Sequence, residues 1–98
     1  MLLTKLKIRG HSMEPFLKID QTVLVSSIPF IFSRPKIGDV IVFKFKNKFY
    51  IKRIANKKNT KYFLTGDNKE DSLDSKKIGW IEKKDIIGKV IYRIATSH

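Results

Sequence analysis

Short apolar runs separated by turn residues are the feature that most constrains how this chain can fold. Between turn signals, no segment of a dozen residues keeps the period of a helix, and 82–87 could form one helical turn at most. Runs rich in β-branched and aromatic residues recur instead at fairly even spacing. They occupy 4–9, 22–26, 40–45, 49–55, 62–65, 80–81 and 86–94. We therefore predict an all-β fold, a small and partly open β-barrel or sandwich of short antiparallel strands joined by hairpins.

The length of the chain limits it to one domain. Its 98 residues suffice for a single modest core, so we expect one unit over 1–98. The connections are expected at the turn 46–48, at the polar segment 56–61 and in a long polar loop over 66–77.

The charge of the chain raises the question of a polyanionic partner. Its 21 basic and nine acidic residues give a formal net charge of +12, a balance that is compatible with nucleic acid or an anionic membrane. However, 17 of the 21 basic residues are Lys, whereas Arg is the usual reader of bases and phosphates. We expect no nucleic-acid partner. The alternative is a basic β-barrel that binds single strands through aromatic side chains, of which the candidates are Phe43, Phe45, Tyr50 and Tyr62.

Cofactor and metal sites find little support in the composition. The chain has no cysteine, which excludes disulfides, thiol nucleophiles and thiolate metal sites. The acidic residues between Asp67 and Asp74 lack the alternating spacing of a calcium loop, and only two histidines are present. We expect neither a metal nor a cofactor.

The sequence has no run near the roughly 18 apolar residues that a spanning helix needs, and its N-terminal apolar run is too short for a secretory signal. We therefore expect a cytoplasmic or peripheral-membrane location. The apolar stretch 28–32 contains Pro29 and is predicted to be a loop with an exposed or half-exposed tip. Such a tip could dock on an anionic membrane without spanning it. The alternative is that its Phe residues fold back over the core.

The turn Gly-His-Ser-Met-Glu-Pro at 10–15 presents one serine just after the first predicted strand. Its glycine and proline favour a tight, preset turn, which makes Ser12 a candidate nucleophile. An isolated serine in such a turn usually has no catalytic role, so the hypothesis needs a base elsewhere in the chain. A Ser-His-Asp triad is poorly supported, because His11 is the sequence neighbour of Ser12 and His98 is the last residue.

Lys52 is the candidate base. Strand alternation over 49–55 places Lys52 on one face and Arg53 on the other, so one of the two cations points inward. A buried Lys tends to lose its proton, whereas a buried Arg must find a carboxylate. Burial would lower the pKa of the Lys52 amine from about 10.4 toward the working pH, and a neutral amine beside a serine hydroxyl is a general base. The alternative is a lysine whose head reaches solvent.

Four segments, in this order along the chain, resemble the boxes of the type I signal peptidase family of serine proteases. They read GHSMEPFL, RPKIGDVIVFKF, YIKRI and LTGDNKEDSLDSKKIGWIEKKDIIGKV. The similarity extends from Ile8 to Ile94. Because all four boxes occur in sequence, the signal is specific, and it implies that family's all-β catalytic core, which the LexA-type repressors share.

The resemblance implies a role for each matching residue. Ser12 would be the nucleophile, Lys52 the general base, and the Ser12 backbone N–H the donor to the acylation oxyanion. Ser72 would hydrogen-bond and orient the Lys52 amine. Two supporting ion pairs are implied, Arg53 with Asp67 and Asp74 with Lys76. The substrate would lie extended between the strands that lead to Ser12 and Lys52, with small residues preferred next to the scissile bond.

The sequence also departs from the family pattern. Gly10 stands where some members carry a second oxyanion donor, and Lys76 replaces the usual Arg. We also expect this form to lack the family's membrane anchor, and only the segment 56–61 stands where other members carry a large β domain between the Lys and GDN boxes. This minimal form is similar to small maturation proteases of the same clan, such as the nickel-type superoxide dismutase maturation protease, which removes an N-terminal leader from a soluble precursor. LexA-type self-cleaving repressors fit less well, because we find no DNA-binding domain or cleavage segment ahead of Ser12.

The function that the resemblance implies is that of a serine endopeptidase with a Ser-Lys dyad. It would remove an N-terminal signal or leader peptide from a precursor protein. Two alternatives stay open at this point: the nucleic-acid-binding β-barrel described above, and a catalytically idle family member that acts as a binding scaffold.

Overall fold

The computed structural model describes residues 3–68 and 78–94. In this part of the chain, seven antiparallel strands form one sheet with the order β1-β2-β7-β3-β4-β5-β6. The strands are β1 (Leu3–Lys7), β2 (Thr22–Ser26), β3 (Val40–Phe45), β4 (Lys48–Lys58), β5 (Lys61–Thr65), β6 (Ile81–Glu82) and β7 (Ile86–Ile94). A one-turn helix, α1 (Pro29–Phe32), and a 3-10 turn (Lys83–Asp85) complete the described elements. The predicted all-β fold is confirmed, and its strands form an open sheet.

Strand β3 separates two hydrophobic clusters. Its residues Val40 and Val42 belong to one cluster, and Ile41 and Phe43 belong to the other. Successive side chains of a strand point to opposite faces, so β3 is buried on both. The buried members of the first cluster are Ile8, Met13, Leu17, Val23, Val25, Val40 and Val42. Those of the second are Ile41, Phe43, Ile54, Tyr62, Leu64 and Ile81.

A tight hairpin fixes the register between β3 and β4. Lys46 and Asn47 have positive φ angles of 49° and 64°, the conformation that suits the twist of a two-residue hairpin. The register places Ile41 opposite Lys52. The predicted turn at 46–48 is therefore present, and it sets which β4 residues face which cluster.

Strand β4 is longer than predicted. It continues to Lys58 and turns back into β5 through Asn59, whose φ is 56°. The polar composition of 56–61 led to a prediction of a connection, which is wrong for most of that segment. Its residues pair with β5 on an exposed part of the sheet, where polar side chains are tolerated because they face water.

The stretch 28–32 contains α1 where a loop was predicted. Pro29 occupies the start of the helix, where its missing N–H costs no hydrogen bond. Phe30 packs against the second cluster, whereas Phe32 is 83% exposed. Each of the two alternatives stated for this stretch thus applies to a different Phe. No helix among residues 3–68 and 78–94 has the length and apolarity to cross a membrane.

Candidate active site

The turn that carries Ser12 follows β1 and is held at both ends. Gly10 has a φ of +82°, a left-handed conformation that favours glycine. Within the turn, the Leu17 backbone N–H donates to the Met13 carbonyl oxygen at 2.9 Å, and both side chains are buried in the first cluster. Ser12 itself is half-buried. The buried neighbours therefore fix the backbone, while the Ser12 side chain stays accessible.

Ser12 lines a cavity of about 230 Å³ between the β1 end of the sheet and β4. The strand wall opposite the turn consists of Val42 from β3 and of Phe49, Tyr50 and Ile51 from β4. Most of these side chains are apolar. The cavity thus brings the Ser12 turn against the three β4 residues that directly precede Lys52.

Lys52 is buried in the sheet. Only 2% of it is exposed, and Ser26 and Lys52 are the buried polar residues in the described part of the chain. Of the two β4 cations, Lys52 is therefore the one that points inward. The alternative stated above, a lysine whose amine reaches solvent, is wrong for Lys52. Burial disfavours the charged form of an amine.

Arg53 and Asp67 form a bidentate ion pair. Arg53 Nε donates to Asp67 Oδ1 at 2.9 Å and Arg53 Nη2 donates to Asp67 Oδ2 at 2.8 Å. The hydrogen bond to Asp67 raises the pKa of Arg53 above its ordinary value, against the opposing effect of partial burial. The guanidinium also donates to the Gly38 carbonyl oxygen at 2.9 Å and lies 4.8 Å from the centre of the Phe16 ring. Arg53 therefore joins β4, the segment after β5 and the end of the Ser12 turn.

Asn68 is a residue of this site that the sequence interpretation missed. Its backbone N–H donates to the Ser12 carbonyl oxygen at 2.8 Å, and its side-chain Nδ2 donates to the His11 carbonyl oxygen at 3.1 Å. Asn68 follows Asp67 in the GDN box, so its place in that box was a signal that could have identified it. Together, Asp67 and Asn68 connect Arg53 to the backbone of the Ser12 turn.

The contacts of His11 lie close to Ser12 in the chain, and the described acidic residues do not cluster with histidines. His11 Nδ1 lies 3.1 Å from Glu14 Oε2, across one turn of backbone. Within residues 3–68 and 78–94, no group of three or more His, Cys, Asp or Glu side chains is placed to hold a metal ion. The contacts of His11 thus give it a partner within its own turn.

Several predictions concern residues that the structure does not describe. Ser72, Asp74, Lys76 and His98 lie outside residues 3–68 and 78–94. The roles implied for Ser72, Asp74 and Lys76 stay predictions.

Of the four aromatic residues named for nucleic-acid binding, two are buried and two are half-buried. Phe43 is fully buried and Tyr62 is 2% exposed, while Phe45 and Tyr50 pack against the second cluster. Base stacking requires an accessible ring face. Phe43 and Tyr62 are therefore not available for stacking in this structure, whereas Phe45 and Tyr50 are half-exposed.

Comparison with known proteins gives two matches. Residues 3–91 match the family model described as Peptidase S24-like. A signal peptidase I of Buchnera aphidicola subsp. Baizongia pistaciae (strain Bp) is 39% identical over an alignment of 67 residues that covers 58% of this chain and 22% of that protein. The chain therefore spans about a fifth of the length of the curated relative that it matches. The resemblance to type I signal peptidases is confirmed by these matches.

Proposed function

Because this chain belongs to the Peptidase S24-like family, we propose that it is a serine endopeptidase in which Ser12 is the nucleophile and Lys52 is the general base. Its substrate would be a precursor protein from which an N-terminal signal or leader segment is removed. The family assignment supports the peptidase role, and the contacts of the Ser12 turn together with the burial of Lys52 support this choice of residues.

One observation carries the proposal: the turn that carries Ser12 and the strand that carries Lys52 are both held by two consecutive residues, Asp67 and Asn68. Asn68 donates to the Ser12 carbonyl oxygen. The preceding residue, Asp67, holds Arg53, which is the neighbour of Lys52 on β4. A Ser-Lys pair needs its two side chains on elements that cannot drift apart, and this connection supplies that rigidity.

The burial of Lys52 suits a general base. Lys52 is 2% exposed, and desolvation acts against the charged form of an amine. In the proposed mechanism, neutral Lys52 takes the Ser12 hydroxyl proton as Oγ attacks the scissile carbonyl carbon. The resulting oxyanion accepts a hydrogen bond from the Ser12 backbone N–H.

Collapse of this tetrahedral intermediate breaks the peptide C–N bond. The leaving amine takes the proton from Lys52, and the acyl group stays on Ser12 Oγ as an ester. Lys52, neutral again, then removes a proton from a water that attacks the ester carbonyl. Return of that proton to Ser12 Oγ releases the new carboxyl end and restores the enzyme.

The cavity beside Ser12 supports a substrate that lies extended against the strands. Its volume of about 230 Å³ and its apolar wall suit small apolar side chains near the scissile bond. The matched relative is named a signal peptidase I, which supports a precursor protein as substrate. Ser72 completes the proposal as the group that orients the Lys52 amine, with Asp74 and Lys76 as a second supporting ion pair.

The test uses peptides that carry a signal-type cleavage site. Ser12→Ala and Lys52→Met should each abolish cleavage while the thermal unfolding midpoint stays close to that of the unchanged protein. Ser33→Ala and Lys58→Met, at exposed positions, are the matched controls and should cleave normally. Undiminished cleavage by either active-site variant would reject the dyad.

A covalent serine probe separates an active enzyme from an idle scaffold. An acylating penem-type probe should label Ser12 in the unchanged protein and should not label Ser12→Ala. Absence of labelling in the folded, unchanged protein would favour the binding-scaffold alternative.

A further inference from the structure

We propose that the substrate of this site carries acidic side chains at the second and fourth positions before the scissile bond, where they meet Lys7 and Arg9. The inference rests on the proposed function, because it concerns the peptide that Ser12 would cleave. It adds a chemical property of that peptide to the small residues expected next to the scissile bond. Lys7 and Arg9 would determine specificity and take no part in breaking the peptide bond.

The open edge of β1 lies beside the cavity. Strand β1 is the first strand of the sheet and pairs with β2 on one side. Just after β1, the Ile8 N–H donates to the Gln21 carbonyl oxygen at 2.8 Å, and the Ile8 carbonyl oxygen accepts from the Asp20 N–H at 2.9 Å. Both backbone groups of Ile8 thus face the β2 side. Because these groups alternate in direction along an extended chain, we expect those of Lys7 and Arg9 to face the open edge, where an extended peptide would pair.

The side chains of this segment separate by polarity. Ile8 is a buried member of the first hydrophobic cluster, and Leu6 packs against that cluster. Lys5, Lys7 and Arg9 are exposed. Lys7 and Arg9 both line the cavity, whereas Lys5 does not, and no acidic residue of the described chain lines it. The cavity therefore has an apolar inner side and a basic outer side along β1.

Both cations are available to a substrate carboxylate. Within the ranges 3–68 and 78–94, Arg9 forms no ion pair with an Asp or Glu side chain. Lys7 Nζ lies 3.9 Å from Asp20 Oδ1, and the two side chains are 55% and 64% exposed. An ion pair that is this long and this exposed contributes little to stability. A carboxylate of the bound peptide can therefore approach either cation without displacing a strong partner.

Strand alternation assigns the positions in the peptide. In the proposed complex, the residue before the scissile bond faces the apolar inner side of the cavity, beside Ser12. Side chains of an extended peptide alternate between two faces, so the third residue also faces inward and the second and fourth face outward. Neighbouring side chains on the same face of paired strands stabilise the pair when their charges are opposite. The outward positions lie on the face of Lys7 and Arg9, which favours Asp or Glu there.

Peptide binding to Ser12→Ala tests this preference without cleavage. Fluorescence anisotropy compares two labelled peptides with the same signal-type site, one with Glu and the other with Gln at the second and fourth positions before the scissile bond. We expect the Glu peptide to bind about tenfold more tightly, or about threefold for each charge, and the difference to shrink as salt is raised. A third peptide, with both Glu residues moved to its N-terminal end, has the same net charge and should bind like the Gln peptide.

Variants of β1 assign the preference to the two cations. In the Ser12→Ala background, Lys7→Gln/Arg9→Gln should bind the Glu and Gln peptides equally. Lys7→Glu/Arg9→Glu should instead prefer a peptide with Lys at both positions. Lys5→Gln removes an exposed charge from the same strand outside the cavity, and as the matched control it should keep the preference for Glu. Thermal unfolding midpoints confirm that each variant is folded.

The possible outcomes separate this inference from the proposed function. Equal binding of the Glu and Gln peptides, or no binding of either, would overturn the inference. A preference that persists in Lys7→Gln/Arg9→Gln, or that the third peptide shares, would assign it to the overall charge of +12 and overturn it as well. Cleavage of both peptides by the unchanged protein with the same kcat/KM would reject the inference and retain the proposed function. The expected binding preference without any cleavage would reject the catalytic role and leave a peptide-binding site with this specificity.

Discussion

The backbone N–H of Asn68 donates a 2.8 Å hydrogen bond to the carbonyl oxygen of Ser12. The Asn68 side chain donates to the preceding carbonyl, that of His11. Two consecutive carbonyl groups of the Ser12 turn are thus held by one residue from a distant part of the chain. This double contact fixes the position of the Ser12 turn relative to the strands.

Asn68→Ala should lower kcat for peptide cleavage by about tenfold while leaving KM nearly unchanged. The variant keeps the backbone bond to Ser12 but loses the side-chain bond to His11, so the Ser12 hydroxyl is positioned less well for attack. Steady-state kinetics and thermal unfolding check this. Asn56→Ala, at an exposed position on β4, is the control; an equal loss in both variants would contradict a positioning role for Asn68.

Asp67→Asn should lower the free energy of unfolding by about 1–3 kcal/mol, because it leaves the half-buried Arg53 guanidinium without its carboxylate. Denaturant titration measures the change. Glu82→Gln is the matched control, since Glu82 pairs with Lys84 at 3.8 Å between two exposed side chains and should contribute less than about 0.5 kcal/mol. A similar small loss at both sites would contradict the structural importance of the Arg53 pair.

The pH dependence of the Arg53 pair follows from its pKa. The hydrogen bond with Asp67 raises the pKa of Arg53 in the folded state, so its contribution is complete below the unfolded pKa and is lost only as pH rises through the folded value. Both values lie far above neutrality. We therefore expect the stability difference between the unchanged protein and Asp67→Asn to stay constant from about pH 6 to about pH 9. Denaturant titrations across this range measure the difference in the free energy of unfolding. A difference that changes with pH would contradict the prediction.

Lys52→Met and Lys52→Arg should both abolish cleavage but differ in stability. Methionine fills a similar volume without a charge, so we expect a change of less than about 1 kcal/mol in the free energy of unfolding. Arginine cannot give up its proton at this buried position, and we expect it to destabilise the fold by about 3 kcal/mol or more. Cleavage assays with denaturant titrations check both; retained cleavage by Lys52→Arg would argue against a neutral amine as the base.

Gly88→Ala should destabilise the sheet by about 1–3 kcal/mol. A Cβ atom at Gly88 would lie 2.9 Å from Val25 Cγ1 and 3.0 Å from the Ser26 carbonyl oxygen, so β2 and β7 would have to separate. Ile91→Ala, at an exposed position of the same strand, should cost less. The unfolding midpoints of Gly88→Ala and Ile91→Ala are compared. Equal midpoints would show that the sheet accommodates the added Cβ atom at Gly88.

The sequence allowed the strands to be predicted wherever a β-branched run had both flanks marked by turn residues, as at 40–45. The continuation of β4 to Lys58 could not be predicted, because a run of exposed polar residues gives the same sequence pattern in a strand and in a loop. The helix α1 was also missed, since one turn is too short to establish a helical period.

For the candidate site, strand alternation predicted that either Lys52 or Arg53 points inward. Only the folded structure, in which Lys52 is 2% exposed, identifies Lys52 as the inward cation. The contacts of Asn68 join residues far apart in the chain and depend on how the segment after β5 meets the Ser12 turn. Such long-range hydrogen bonds depend on the tertiary structure, and no local sequence pattern predicts them.

The burial of β3 on both faces constrains how this protein can evolve. Val42 borders the cavity beside Ser12, while the next residue, Phe43, belongs to the opposite hydrophobic cluster. Under the proposed function, a substitution of Val42 that alters the cavity is expected to affect the packing of the adjacent Phe43 as well. Stability and the proposed substrate preference are therefore expected to evolve together, with compensating substitutions on the opposite face of the sheet.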